Sequence, residues 1–141
     1  MPRSDAPTHK LRKLWLFIGW GLVAFVIYLS LVSGPLPIDA IAGDENTRRV
    51  LYGISHVLAY GTLMLWFLQL YAHSRRTIIA IGLVALGIVL EILQGFTADR
   101  HPGYMDIVAN TTGVVLGWLL GKTRLSKMLD IIERQVMRLS T

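Results

Sequence analysis

Six side chains able to move a proton or hold a polar head group occur as pairs in otherwise apolar sequence. His56 and Tyr60 are four residues apart, Glu91 and Gln94 three, Asp106 and Asn110 four. Such separations place both members of a pair on one helix face. Glu91 is the sharpest of the six, being embedded in Ile88-Val-Leu-Glu-Ile-Leu-Gln94. An ionisable group in such a stretch is costly, turns toward a bundle interior and marks a functional site by default. His56 titrates near neutrality and suits acid–base work. Asp106 is placed to orient a partner, and Arg100, just before it, offers a planar fork for phosphate or carboxylate. The start of the following helix favours anions as well. The expected division of labour is His56, Glu91 and Asp106 as catalytic groups, with Arg100, Tyr60, Gln94 and Asn110 holding the substrate.

Each residue also has a purely architectural reading. Glu91 can fasten helices through His56 or Arg100, Asp106 can cap the helix it begins, and His56 can be a neutral packing donor. His101 and His73 read as loop residues. One histidine with two carboxylates is a ligand set for Zn²⁺ or Mn²⁺, but the His-Glu-x-x-His pattern is missing. The chain also has no cysteine, and no serine sits in a nucleophile motif. No metal and no cofactor are expected.

The elements that must carry these residues are membrane helices. Of the 141 residues 53% are apolar and 16% charged, against about 25% charged in a soluble domain. Charge collects in the first thirteen residues, in three connections and after Gly121. Between lie four apolar runs near the roughly 20 residues that cross a bilayer: residues 14–33, a second from between 49 and 55 to 71, 77–95, and a fourth from 104 or 105 to 121 or 122. The first is too long for a signal core and no Ala-x-Ala site follows it. Trp15 and Trp20 read as interfacial anchors, and Ser33, Gly34, Pro35 and Pro37 end the helix. The fold expected is all-α: a four-transmembrane-helix bundle over 14–121, a basic tail over 1–13 and an amphipathic interfacial helix over 122–141.

Eleven lysines and arginines fall on the side of the two tails and of Arg75 and Arg76; only Arg48, Arg49 and Arg100 fall on the other. The positive-inside rule then puts both termini in the cytoplasm. All three polar pairs come to lie toward the outside, at one depth. The net charge of +5 flanks hydrophobic segments, so it reports topology, and no nucleic-acid partner is expected. In the fourth run Gly113, Gly117 and Gly121 extend the Asp106–Asn110 stripe, a face suited to close helix contact. Docking within the bundle is its natural use, and a homodimer through the same glycines competes with it.

Three segments together resemble the VanZ-like family of small bacterial membrane proteins: Ser55-His-Val-Leu-Ala-Tyr60, Leu90-Glu-Ile-Leu-Gln94, and Arg100 followed by Met105-Asp-Ile-Val-Ala-Asn-Thr-Thr-Gly113. The chain departs from the family at Ile54 and Leu90, where acidic residues are typical, and in His101-Pro-Gly-Tyr104, where serines are common. The resemblance implies a multi-pass protein of the bacterial cytoplasmic (inner) membrane, in a family with members linked to glycopeptide-antibiotic resistance. Three functions are in competition: an enzyme acting on a lipid-linked or amphiphilic envelope intermediate, a non-catalytic module binding membrane lipid or antibiotic, and a structural partner.

Overall fold

Long apolar runs with few helix breakers can satisfy their backbone in lipid only as helices, and the computed structural model, which describes residues 10–32, 40–96 and 103–139, is all-α. Four helices form the bundle: α1 (Arg12–Leu31), α2 (Glu45–Leu70), α3 (Arg76–Gln94) and α4 (Tyr104–Leu120). A 3₁₀ turn at His73–Arg75 joins α2 to α3, and another at Arg124–Lys127 leads from α4 into a fifth helix, α5 (Met128–Leu139). Among the described residues α1, α2 and the His73–Gln94 segment are long and apolar enough to cross a membrane. The fourth expected span, α4, is apolar but has only 17 residues. At a rise of about 1.5 Å each that is roughly 25 Å, short of a hydrocarbon core of about 30 Å.

Helix α2 begins earlier than its apolar run. Asp44 caps it, its Oδ1 accepting from Thr47 N at 2.9 Å and its Oδ2 from the Thr47 hydroxyl at 2.7 Å. These bonds, the backbone one first, hold the Asp44 carboxyl below its ordinary pKa. Glu45 then pairs with Arg48 and Arg49, one turn on. The 26 residues of α2 extend about 39 Å, so its polar first turns reach beyond a bilayer core.

The core centres on α2. Tyr60, Leu63, Met64, Phe67 and Leu68 pack with Val23 of α1, Leu83 of α3 and Val114 of α4. Outward from this core the surface is apolar: Phe17, Phe25, Tyr28, Leu58, Ile78 and Ile81 are all exposed. The interior meanwhile holds Gln69, Glu91, Gln94, Asn110 and Glu133. Apolar surface this continuous marks a membrane or an interface, and the buried polar set rules out a simple oil-drop core.

The glycine face of α4 rests on α2 of the same chain. A Cβ on Gly113 would stand 2.5 Å from Val57 O, and one on Gly117 would stand 2.5 Å from Gly61 O and 2.8 Å from Met64 Cβ. Gly121 faces Leu68 just as closely. A dimer through these three glycines would have to displace this contact.

The tail beyond Gly121 is tied to the bundle by two buried polar residues that the sequence did not single out. Helix α1 starts at a cluster of basic residues and has no side-chain cap of its own. Glu133 of α5 supplies the missing acceptor: Oε1 takes the N–H groups of Lys10 and Leu11, and Oε2 takes Trp15 Nε1 at 3.1 Å. Beside it, Gln69 Oε1 accepts from Leu129 N at 2.9 Å. Trp15, Leu70 and Leu129 form a small second core there. Trp15 is therefore a buried packing residue and not the interfacial anchor expected. Trp20 is exposed and meets Phe67 edge-on at 5.5 Å.

Two glycine substitutions test the α2–α4 contact. Gly117→Ala should lower stability by about 1–3 kcal/mol, because the added methyl overlaps backbone that cannot move aside. Gly82 has open space around it, so Gly82→Ala should be neutral or stabilising by up to about 1 kcal/mol. Thermal unfolding of both variants in detergent measures the difference, and equal melting temperatures would place the stripe on the lipid side.

Candidate functional site

The close approach of α4 to α2 carries Asn110, three residues before Gly113, against α2 one turn above Tyr60. His56 Nδ1 and Asn110 Oδ1 are 2.9 Å apart. With the proton on Nδ1 the ring donates to the amide carbonyl, and Nε2 then carries the lone pair that a general base needs. The amide nitrogen of Asn110 turns the other way, toward α3. A Cβ on Gly87 would sit 3.0 Å from it and 3.3 Å from the Tyr60 hydroxyl. Gly87 thus leaves room for two polar groups to reach α3. Tyr60 is 1% exposed, and its hydroxyl has no hydrogen-bond partner among the described residues. A buried hydroxyl left unmatched is an unusual expense in a helical bundle.

One turn further along α3 and one turn earlier on α4 come the two carboxylates. Glu91 Oε1 accepts the backbone N–H of Gly103, the residue that begins α4. Asp106 Oδ2 lies 3.3 Å from where a Cβ on Gly103 would be, and Glu91 Oε1 3.9 Å from it. Both carboxylates therefore stand over the same glycine. Asp106 does not cap α4 by a side-chain bond; it occupies the first turn, where a negative charge is favoured by the free N–H groups.

Gln94 faces another neighbour. Its Nε2 donates to the Ser30 carbonyl of α1 at 2.7 Å, so this amide ties α3 to α1. The structure accordingly brings five of the six paired residues together where the middle of α2 meets the later turns of α3 and the first turns of α4: Asn110 meets His56 and, with Tyr60, borders Gly87, while Glu91 and Asp106 border Gly103. Arg100 and His101 lie outside the described residues. His73 is exposed in the 3₁₀ turn at the opposite end.

The two glycines are what sequence reasoning passed over. Gly87 precedes Glu91 by four residues and so shares its helix face, which was a usable signal. Gly103 had none, because its part is played by a backbone N–H. Glu91, Gln94, Asn110 and Tyr60 are all buried. Among the described residues no three histidine, aspartate or glutamate side chains converge as a metal-ligand set.

No protein-family model matches the chain, and neither a curated protein nor a solved structure is significantly similar to it.

Proposed function

We propose that the chain is a multi-pass protein of the bacterial cytoplasmic membrane that binds the polar head of a lipid-linked or amphiphilic envelope substrate at the Glu91 end of its bundle and transfers protons there. The observation that carries this reading is the pair of carboxylates, Glu91 and Asp106, over Gly103, one turn from a histidine whose tautomer Asn110 can set. Two acids and a base on three helices at one depth exceed what helix fastening requires. In this reading α4 is the fourth span, made long enough by an entry turn in the head-group region. The VanZ-like resemblance of the Ser55–Tyr60, Leu90–Gln94 and Met105–Gly113 segments supports the same placement.

The chemistry follows from the arrangement. His56, held through Nδ1, accepts or returns a proton at Nε2, and Glu91 serves as the second acid–base group. Asp106 holds the partner of Glu91 in place. Arg100 neutralises the substrate's phosphate or carboxylate, and Tyr60 supplies a hydroxyl that the protein leaves unused. The competing reading, a binding module without turnover, draws on the bonds that Glu91 and Gln94 already make to Gly103 and Ser30.

Glu91→Gln separates these readings, because glutamine keeps an acceptor for Gly103 N–H but cannot titrate. A catalytic Glu91 predicts that cells carrying the variant accumulate an unconverted envelope lipid, seen by mass spectrometry of the lipid extract, with stability changed by no more than about 1 kcal/mol. An unchanged lipid profile together with a lower melting temperature would assign Glu91 to packing alone.

The topology has its own test. The eleven-to-three split of lysine and arginine puts residue 40 outside and residue 74 in the cytoplasm. A single cysteine at Ala40 should react with an impermeant thiol reagent in intact cells and one at Ser74 should not. The reverse pattern would invert the bundle.

A further inference from the structure

A groove of about 640 Å³ runs along the outer face of α3 and α4, on the far side of α4 from its glycines. Its origin lies in the packing already described. Helix α4 leans on α2 through Gly113, Gly117 and Gly121, and it meets α3 closely at Gly87, where Asn110 fills the gap. Below that point α3 presents Thr77, Val84 and Ile88, and α4 presents Thr111, Trp118 and Lys122. Because the helices are antiparallel, Thr77 and Lys122 share one end, and Ile88 and Thr111 share the other.

Two features identify the occupant. The first is length: from Thr77 to Ile88 the groove extends about 16 Å, the depth of one leaflet of a core about 30 Å thick. The second is charge. The walls are apolar, and the one charged group lining them among the described residues, Lys122, stands at the end where Arg75, Arg76, Arg124 and Lys127 also collect. Of the acids near that end, Glu133 is spent on Lys10, Leu11 and Trp15. Arg76 Nε, next in sequence to Thr77, has no hydrogen-bond partner among the described residues. An apolar slot one leaflet deep with a cationic rim matches an acyl chain below an anionic head, and basic pockets between helices on the cytoplasmic side hold such heads.

We propose that this groove seats a diacyl phospholipid of net negative charge from the cytoplasmic leaflet, one acyl chain lying between α3 and α4 and the head-group phosphate meeting Lys122. The assignment rests on the membrane placement and orientation argued above, and it is independent of any chemistry at Glu91. The acyl chain covers the outer face of α3 and α4, on the side of α4 away from its glycines.

The test is native mass spectrometry of the full chain released from bilayers holding equal amounts of phosphatidylglycerol and phosphatidylcholine with matched chains. The wild type should retain one lipid per monomer, with about a fivefold preference for phosphatidylglycerol, the gain expected of one basic side chain at an anionic surface. Lys122→Gln should abolish the preference while keeping the apolar slot. Ala85 lines the groove and is exposed, so Ala85→Phe should fill it without disturbing the core and lose retention of both lipids. Gly82 has open space around it and lies outside the groove, so Gly82→Ala should retain lipid as the wild type does. Equal retention of the two lipids by the wild type, or an unchanged preference in Lys122→Gln, would overturn the proposal. A dimer that Ala85→Phe dissociates would overturn it too, by giving the groove to a second copy. Recovery of the protein in the soluble fraction would overturn the membrane placement itself, an outcome distinct from membrane recovery without lipid preference.

Discussion

The contact on which the rest of the structure depends is backbone against backbone, where Gly113 and Gly117 of α4 lie on Val57 and Gly61 of α2. In lipid there is no gain from hiding one apolar side chain behind another, so helices associate through close van der Waals packing and polar bonds. Glycine makes that approach close. A methyl at either position would stand 2.5 Å from a carbonyl oxygen, so any other residue would push α4 outward. With α4 at that distance, Asn110 reaches His56 on one side and Gly87 on the other, and Gly103 arrives under Glu91. The position of every group in the polar cluster on α4 is thus inherited from glycines further down the same helix.

Polar groups inside and apolar groups outside form one arrangement when seen from the solvent's side. A buried amide or carboxylate is tolerable when its bonds are made within the protein. The structure meets that condition by joining helices: Gln94 to the Ser30 carbonyl, Glu91 to Gly103 N–H, Gln69 to Leu129 N–H, Glu133 to the start of α1. Each of these bonds reaches from one helix to another helix or to a helix start. The Tyr60 hydroxyl stands apart from this pattern, buried with Asn110 beside Gly87 and without a hydrogen-bond partner among the described residues.

The helical placement of the chemistry was legible in the sequence because charged and amide residues are conspicuous in apolar runs and period alone fixes their faces. Asn110 meets His56 and, with Tyr60, reaches Gly87, while Glu91 and Asp106 both reach Gly103. The glycine stripe was legible for the same reason. Contacts far apart in sequence were not. Glu133 and Trp15 are 118 residues apart, and nothing local marks a tail helix as the cap of the first helix. The start of α2 was missed because Arg48 and Arg49 read as a break in an apolar run, whereas Asp44 and Glu45 make them the first turn of a helix. Gln94 looked like a partner of Glu91 by spacing, yet the rotation that buries both sends its amide to α1.

The polar cluster depends on α4 packing on α2 within a single chain. Since the protein has no cysteine, His56→Cys with Asn110→Cys gives a reporter that leaves the glycines in place: the native side chains meet at 2.9 Å between α2 and α4. A short bifunctional thiol reagent in native membranes should bridge the pair inside one monomer, with a mass of one chain plus the linker and no free thiol. A covalent dimer, or two thiols that stay free, would contradict the contact and with it the placement of the polar cluster.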